Sequence, residues 1–185
     1  MFFTLIELLE LLIMVVAIGF IFSGFIAIRP KTVYDMMHPK RFNFDDFKFA
    51  MLVVAPAIVL HELAHKFVAI GFGVEAVFHM SPLGLGIGIL LKLFSSPFII
   101  LAPGYVTIPF QLVTDLQYRL IAFAGPFMNL VLWLGSKFYL DKAKKLSLKN
   151  HAFWALTKRI NMILFFFNMI PFGFFDGAKV FFGKG

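Results

Sequence analysis

The stretch VVAPAIVLHELAHKFVAIGF, residues 53 to 72, reads as one apolar helix long enough to enter a membrane, and it carries His61, Glu62 and His65 at its centre. A hydrocarbon core of roughly 30 Å takes about 20 apolar residues to cross as a helix. Ionisable groups inside such a run cost about 2.5–3.5 kcal/mol each for Asp or Lys on insertion scales, so they mark function by default. Their spacing outlines the chemistry. His61 and His65 stand at i, i+4 and project from one helical face a turn apart, which lets two imidazole nitrogens grip one tetrahedral ion. Glu62 is offset from His61 by about 100°, beside the ion and not on it, where a carboxylate can take a proton from bound water.

The remainder of the chain shares this apolar character. Of 185 residues, 61% are hydrophobic and 15% charged, with 27 Phe, which excludes a water-soluble domain and implies an integral, multi-pass protein of a cell membrane. One membrane-embedded domain over 1–185 is the economical organisation. Residues 1–28 lack a basic n-region and a small-residue cleavage site, and their apolar run is about twice a signal-peptide core, so they read as a retained first span. Glu7 and Glu10 share one face of it and are expected to reach the interface with no chemical role. The net charge of +7 lies in loops flanking apolar runs and forms no aromatic-interleaved basic face. Topology and anionic lipid account for it, and nucleic acid is not an expected partner. With no cysteine, any metal must be held by His, Asp or Glu.

Residues 29 to 48 read as an interfacial connector, and 49 to 72 as the second apolar helix, with Pro56 inside it and Gly71 and Gly73 as its stop. Lys66 is expected to extend toward the interface. Ser81 to Gln111 fits two patterns. Its alternation of Gly with Leu or Ile has a period of two, as in a strand, while Gly84 and Gly88 suit a helix-packing face in an ordinary third helix over 83 to 101. Residues 120 to 140 form another span, a lysine-rich loop follows, and the last apolar segment is expected to enter the membrane after Lys158 and Arg159. His38, His79 and His151 lie in or near loops and carry no assigned role.

A catalytic zinc site uses three protein ligands and an open position. Asp176 is the remaining acid in a strongly apolar stretch, FNMIPFGFFDGAKVFF, where Pro171, Gly173 and Gly177 interrupt the helix around it. His61 and His65 lie 13 and 17 residues beyond Lys48, and Asp176 lies 17 beyond Arg159. If both helices enter from one side, all three groups reach about 20–26 Å in. That condition leaves no net crossing for residues 73 to 118, which favours a re-entrant or strand-bearing segment there. The expected fold is therefore an all-α polytopic membrane protein with about four transmembrane helices plus such a segment after the HExxH helix.

With HELAH at 61–65, NMIPFGFFDG at 168–177, which fits NxxPxxxxDG, and AGPFMN at 124–129 between them, the chain resembles the site-2 protease family of intramembrane zinc metalloproteases. The resemblance covers about 49 to 180, the expected catalytic core. It implies one zinc ion held by His61, His65 and Asp176, Glu62 as catalytic base, and Asn168 near the site binding substrate or oxyanion. It also implies a transmembrane protein as substrate, held extended by a strand region for which LGLGIGI or YVTIP is a candidate, and hydrolysed by activated water. Gly125 and Asn129 read first as packing residues. The sequence shows no PDZ or cystathionine-synthase-like module, so a minimal or truncated form is expected. The alternative is a non-catalytic zinc-binding membrane protein, a pseudoprotease or a transporter.

Overall fold

The computed structural model describes residues 2–23, 25–26, 37, 42–96 and 102–184. Most of the connector expected at 29 to 48, including His38, lies outside these residues. Helix α1 runs Leu5–Phe22, opened by a capping box in which Thr4 and Glu7 satisfy each other's backbone N–H groups. Helix α2, Phe44–Gly71, starts under Asn43, whose side chain accepts from the N–H groups of Asp45 and Asp46, and it continues unbroken past Pro56. Strand β1 (Val77–Met80), helix α3 (Pro82–Leu93) and strand β2 (Gly104–Thr107) follow. A single 3-10 turn, Phe110–Leu112, leads into helix α4, Asp115–Lys142, which antiparallel helix α5, Leu148–Asn168, follows after a short lysine-bearing connector. The described chain closes on a short helix α6, Asp176–Phe182.

This is an all-α membrane architecture with one two-stranded sheet. Among the described residues, α1, α2 and α4 are each long and apolar enough to cross a membrane. Helix α5 has 21 residues but carries Lys158 and Arg159 in its middle, so it begins ten residues before the point where the sequence placed its entry. Large apolar side chains such as Leu5, Leu12, Leu83, Phe138 and Phe166 are exposed, while Glu7, Lys66, Asn129, Asn161 and the HExxH residues are buried. Polar groups turned inward behind an apolar exterior are what a lipid solvent demands.

Ser81 to Gln111 satisfies both patterns in its sequence. Gly84, Leu85 and Gly88 form the buried side of α3, so the LGLGIGI stretch is helical and not a strand. At 12 residues this helix rises about 18 Å, too short to cross. The strand expectation holds at YVT, within β2, which pairs antiparallel with β1 in the register Val77 with Thr107, Phe78 with Val106, His79 with Tyr105 and Met80 with Gly104.

Met14, Ile18 and Ile21 of α1 pack with Phe49, Val53, Val54 and Ile58 of α2, with Phe78 of β1 and Leu85 of α3 sealing the cluster. Helices α2 and α4 both bury small residues, Ala57 and Ala64 on one and Ala122, Ala124 and Gly125 on the other, with Gly125 set against His61 and His65. Small side chains let two membrane helices approach closely, because dispersion at short range replaces the missing hydrophobic drive. Helices α4 and α5 close on aromatic pairs, Trp133 with Phe166 at 5.6 Å and Tyr139 with Trp154 at 4.5 Å between ring centroids.

Candidate metal centre

His61 and His65 arrive on one face of α2, and the α5 to α6 turn delivers Asp176 to the same point. Helix α5 ends at Asn168, and Gly173 adopts a φ of +60°, a left-handed conformation that few other residues accept. Gly177 then lies so close to the end of α5 that a Cβ there would meet the carbonyl carbon and oxygen of Met169 at 2.5 Å. Asp176 is therefore not 17 residues down a continuous helix, as the depth reckoning supposed. It opens a short helix that folds back beside α4, where Arg119 donates from one guanidinium nitrogen to the carbonyls of Val180 and Phe181.

His61 Nε2 lies 3.1 Å from His65 Nε2 and 3.1 Å from Asp176 Oδ2, and His65 Nε2 lies 3.2 Å from the same oxygen. All three residues are buried. Their outer atoms fix which nitrogens carry protons. His65 Nδ1 sits 2.7 Å from the carbonyl of Ile121, which can only accept, so Nδ1–H donates to it. Asn129 donates its amide hydrogens to Ala57 O at 3.0 Å and to Asn161 Oδ1 at 2.9 Å, so its own Oδ1 accepts from His61 Nδ1 at 2.7 Å. Asn161 is itself fixed by donation to Thr157 O at 2.8 Å. In the neutral tautomers this network selects, both Nε2 atoms present bare lone pairs to each other and to a carboxylate oxygen.

Three acceptors converging without a hydrogen between them repel one another unless a cation lies among them. A tetrahedral zinc with bonds of about 2.0–2.1 Å holds its ligand atoms about 3.3 Å apart, close to the spacing found here. The residues therefore fit a metal ion, and hydrogen bonds to the outer imidazole nitrogens complete the arrangement such ligands require. Gly125 supplies the room: a Cβ there would stand 2.2 Å from His65 Nε2 and 2.7 Å from His61 Nε2.

The group faces a cavity of about 830 Å³. Glu62 lines it, buried and one residue from His61, and Asn168, expected near the site, lines it at the far end of α5. All of β2 lies along its wall. Lys179, one turn beyond Asp176 and 3.3 Å from its Oδ1, reaches the same space. The sequence reading left Lys179 and Asn161 unassigned and took Gly125 and Asn129 for packing residues. The AGPFMN motif was visible, but its contact with the imidazoles depends on how α4 crosses α2, which no local pattern carries.

Four further residues lie elsewhere than expected. Glu7 and Lys66, placed by the sequence at the interface, are 2% and 1% exposed and bond to each other inside the fold. Their charges cancel by pairing instead of reaching water. Glu10 turns to β1, and His79, expected in or near a loop, is a β1 residue 3.8 Å from it.

Fold and site together define a helical membrane protein with a buried pair of histidines and a carboxylate on a cavity wall, competent to hold a metal ion. A curated protein of Methanocaldococcus jannaschii, "Putative zinc metalloprotease MJ0611", is 34% identical over 177 residues, spanning 94% of this chain and 82% of that relative. At that identity and coverage the chain belongs to the same zinc metalloprotease family. No protein-family model matches the chain, and no solved structure matches it significantly.

Proposed function

We propose that the chain is an intramembrane zinc metalloendopeptidase of the site-2 protease type, multi-pass in a cell membrane, with residues 49–180 as the catalytic core of a single domain. The observation that carries this reading is the meeting of His61, His65 and Asp176 within 4.8 Å of one another, beside Glu62, on the wall of a cavity bordered by a strand. Membership of a family whose named relative is a zinc metalloprotease supports it.

His61 Nε2, His65 Nε2 and Asp176 Oδ2 would hold the zinc. Bound zinc supplies Lewis acidity, acidifying water and polarising a carbonyl oxygen. Glu62 accepts a proton from the attacking water as the new C–O bond forms, and returns it to the amide nitrogen as the C–N bond breaks. Asn129 and the Ile121 carbonyl keep both imidazoles in the tautomer that leaves Nε2 free. Lys179 holds the second carboxylate oxygen of Asp176 away from the imidazoles. Asn168 offers an amide to the bound peptide.

A transmembrane substrate is helical, with its carbonyls locked in i to i−4 bonds, so it must unwind before water can attack. Strand β2 offers the extended partner. Phe78 and Met80 direct their N–H groups to α1, and Ser81 N donates to Pro103 O at 2.8 Å, so the odd-numbered residues of β1 face β2. By the alternation of an antiparallel ladder, Gly104 and Val106 turn their backbone groups outward, along the cavity. A peptide adding to that edge lies extended beside Glu62.

The test pairs Glu62→Gln with Asp176→Asn in proteoliposomes, measuring zinc content and cleavage of a membrane peptide together. Glu62→Gln is expected to keep zinc and lose about 10²–10⁴-fold in cleavage rate. Asp176→Asn is expected to lose much of both. Full proteolysis by Glu62→Gln would end the mechanism. A wild type that binds zinc and cleaves nothing would favour a zinc-binding role without catalysis.

A further inference from the structure

The buried Glu7 and Lys66 pair has no part in the chemistry above, yet it touches the machinery on two sides. Lys66 follows His65 directly on α2 and points away from the metal centre, its Nζ 2.5 Å from Glu7 Oε1 and 2.5 Å from the carbonyl of Ala76, the residue before β1. Glu7 Oε1 also accepts from Phe78 N at 2.7 Å, and one turn later Glu10 Oε2 accepts from Met80 N at 2.8 Å. Two carboxylates of α1 thus occupy consecutive outward N–H groups of β1, which a further strand would otherwise take. Replacing a buried ion pair by apolar groups of similar size is often neutral for stability, so cohesion alone does not account for these directional bonds. They create a fixed path from the HExxH helix through Lys66 and Glu7 to β1, across the ladder to β2, and so to its outer edge at Gly104 and Val106, unpaired among the described residues.

We infer that Glu7, Glu10 and Lys66 are positioning residues that close the outer edge of β1 and set the register of the β2 edge against the HExxH helix, choosing which peptide bond meets Glu62. The inference rests on the proteolytic reading above. A slip of one residue moves a bound strand by about 3.3 Å and turns each side chain to the opposite face. Near-attack geometry tolerates far less than that.

The experiment uses the full chain in zinc-loaded proteoliposomes, with a synthetic peptide of roughly 20 Leu and Ala residues interrupted by a central Gly-Ser as the probe. Wild type is compared with Glu7→Leu/Lys66→Met, which removes both charges together, and with Glu10→Ala, which leaves the ion pair intact. Bound zinc, amide exchange over residues 76–80 and 102–108, and product masses are read for each. The double variant is expected to keep zinc within about twofold, to exchange its β1 amides at least about tenfold faster, and to spread cleavage over neighbouring bonds. Glu10→Ala is expected to show the faster exchange at Met80 with a narrower spread. Unchanged exchange, or product masses identical to wild type, overturns the inference, as does loss of zinc in step with cleavage. A wild type that cuts nothing overturns the proteolytic reading and the choice of bond with it, whereas unchanged exchange in a chain that does cut overturns the clamp alone.

Discussion

Asn129 Oδ1 stands 2.7 Å from His61 Nδ1, and both amide hydrogens of Asn129 are already committed to Ala57 O and Asn161 Oδ1. The asparagine can therefore only accept from the imidazole, and it decides which ring nitrogen is bare. Asn129→Ala is expected to weaken zinc affinity about 10- to 100-fold. Asn161→Ala, acting through Asn129, should weaken it less. Competition with a fluorescent chelator measures both, and wild-type affinity in Asn129→Ala would show that the tautomer is set some other way.

Gly125 and Gly135 lie on the same helix and differ in what surrounds them. A Cβ at Gly125 would strike His65 Nε2 at 2.2 Å, whereas at Gly135 nothing lies within 4 Å. Gly125→Ala is expected to cost zinc binding and cleavage together, since the histidine cannot keep its place. Gly135→Ala should leave both intact and stabilise the helix by about 0.5–1 kcal/mol. Zinc stoichiometry and thermal unfolding in detergent distinguish the two.

Val106 lines the cavity, and by the alternation of the ladder its N–H points away from β1, so a proline there removes a donor that the ladder does not use. Val106→Pro should raise KM about three- to tenfold, the worth of one hydrogen bond, with zinc content unchanged. Tyr105→Pro, which strikes the ladder itself, should lose β2 order as well. Peptide kinetics beside amide exchange separate these outcomes.

Lys66→Met alone leaves the Glu7 carboxylate buried without its cation. It should destabilise the protein by about 3–5 kcal/mol, and adding Glu7→Leu should recover most of that loss. Chemical denaturation of the three chains in mild detergent reads the difference. A single variant as stable as wild type would mean that solvent reaches Glu7.

The sequence made the shared face of His61 and His65 legible because a helix converts i, i+4 spacing into a direction in space. Asp176 drew notice for a related reason, as an acid in an apolar stretch, and the helix break expected around it at Pro171 and Gly173 is present, although the depth count had run straight through that break. Lys66 and Glu7 failed the same kind of reading. Snorkelling and pairing are alternative ways to neutralise a charge in lipid, and the choice depends on a neighbour 59 residues away in the chain. Residues 83–89 left strand and helix open because small residues at every second position also include the i, i+4 spacing of a packed helix, Gly84 with Gly88. The buried side chains that orient the imidazoles were the least legible. Asn129 and Asn161 carry no signal of role until the helices bearing them are stacked.

The turn that carries Asp176 to the histidines has a temporal side. A ribosome releases His61 and His65 long before Asp176, and α2 and α4 can pack together in the interval. Until α6 docks against Arg119 and the Met169 carbonyl, the chain holds Glu62 and two imidazoles without the Asp176 carboxylate. The group of His61, His65 and Asp176 is complete only once α6, more than a hundred residues behind the histidines, has been made and has folded back. Order along the chain thus acts as a delay.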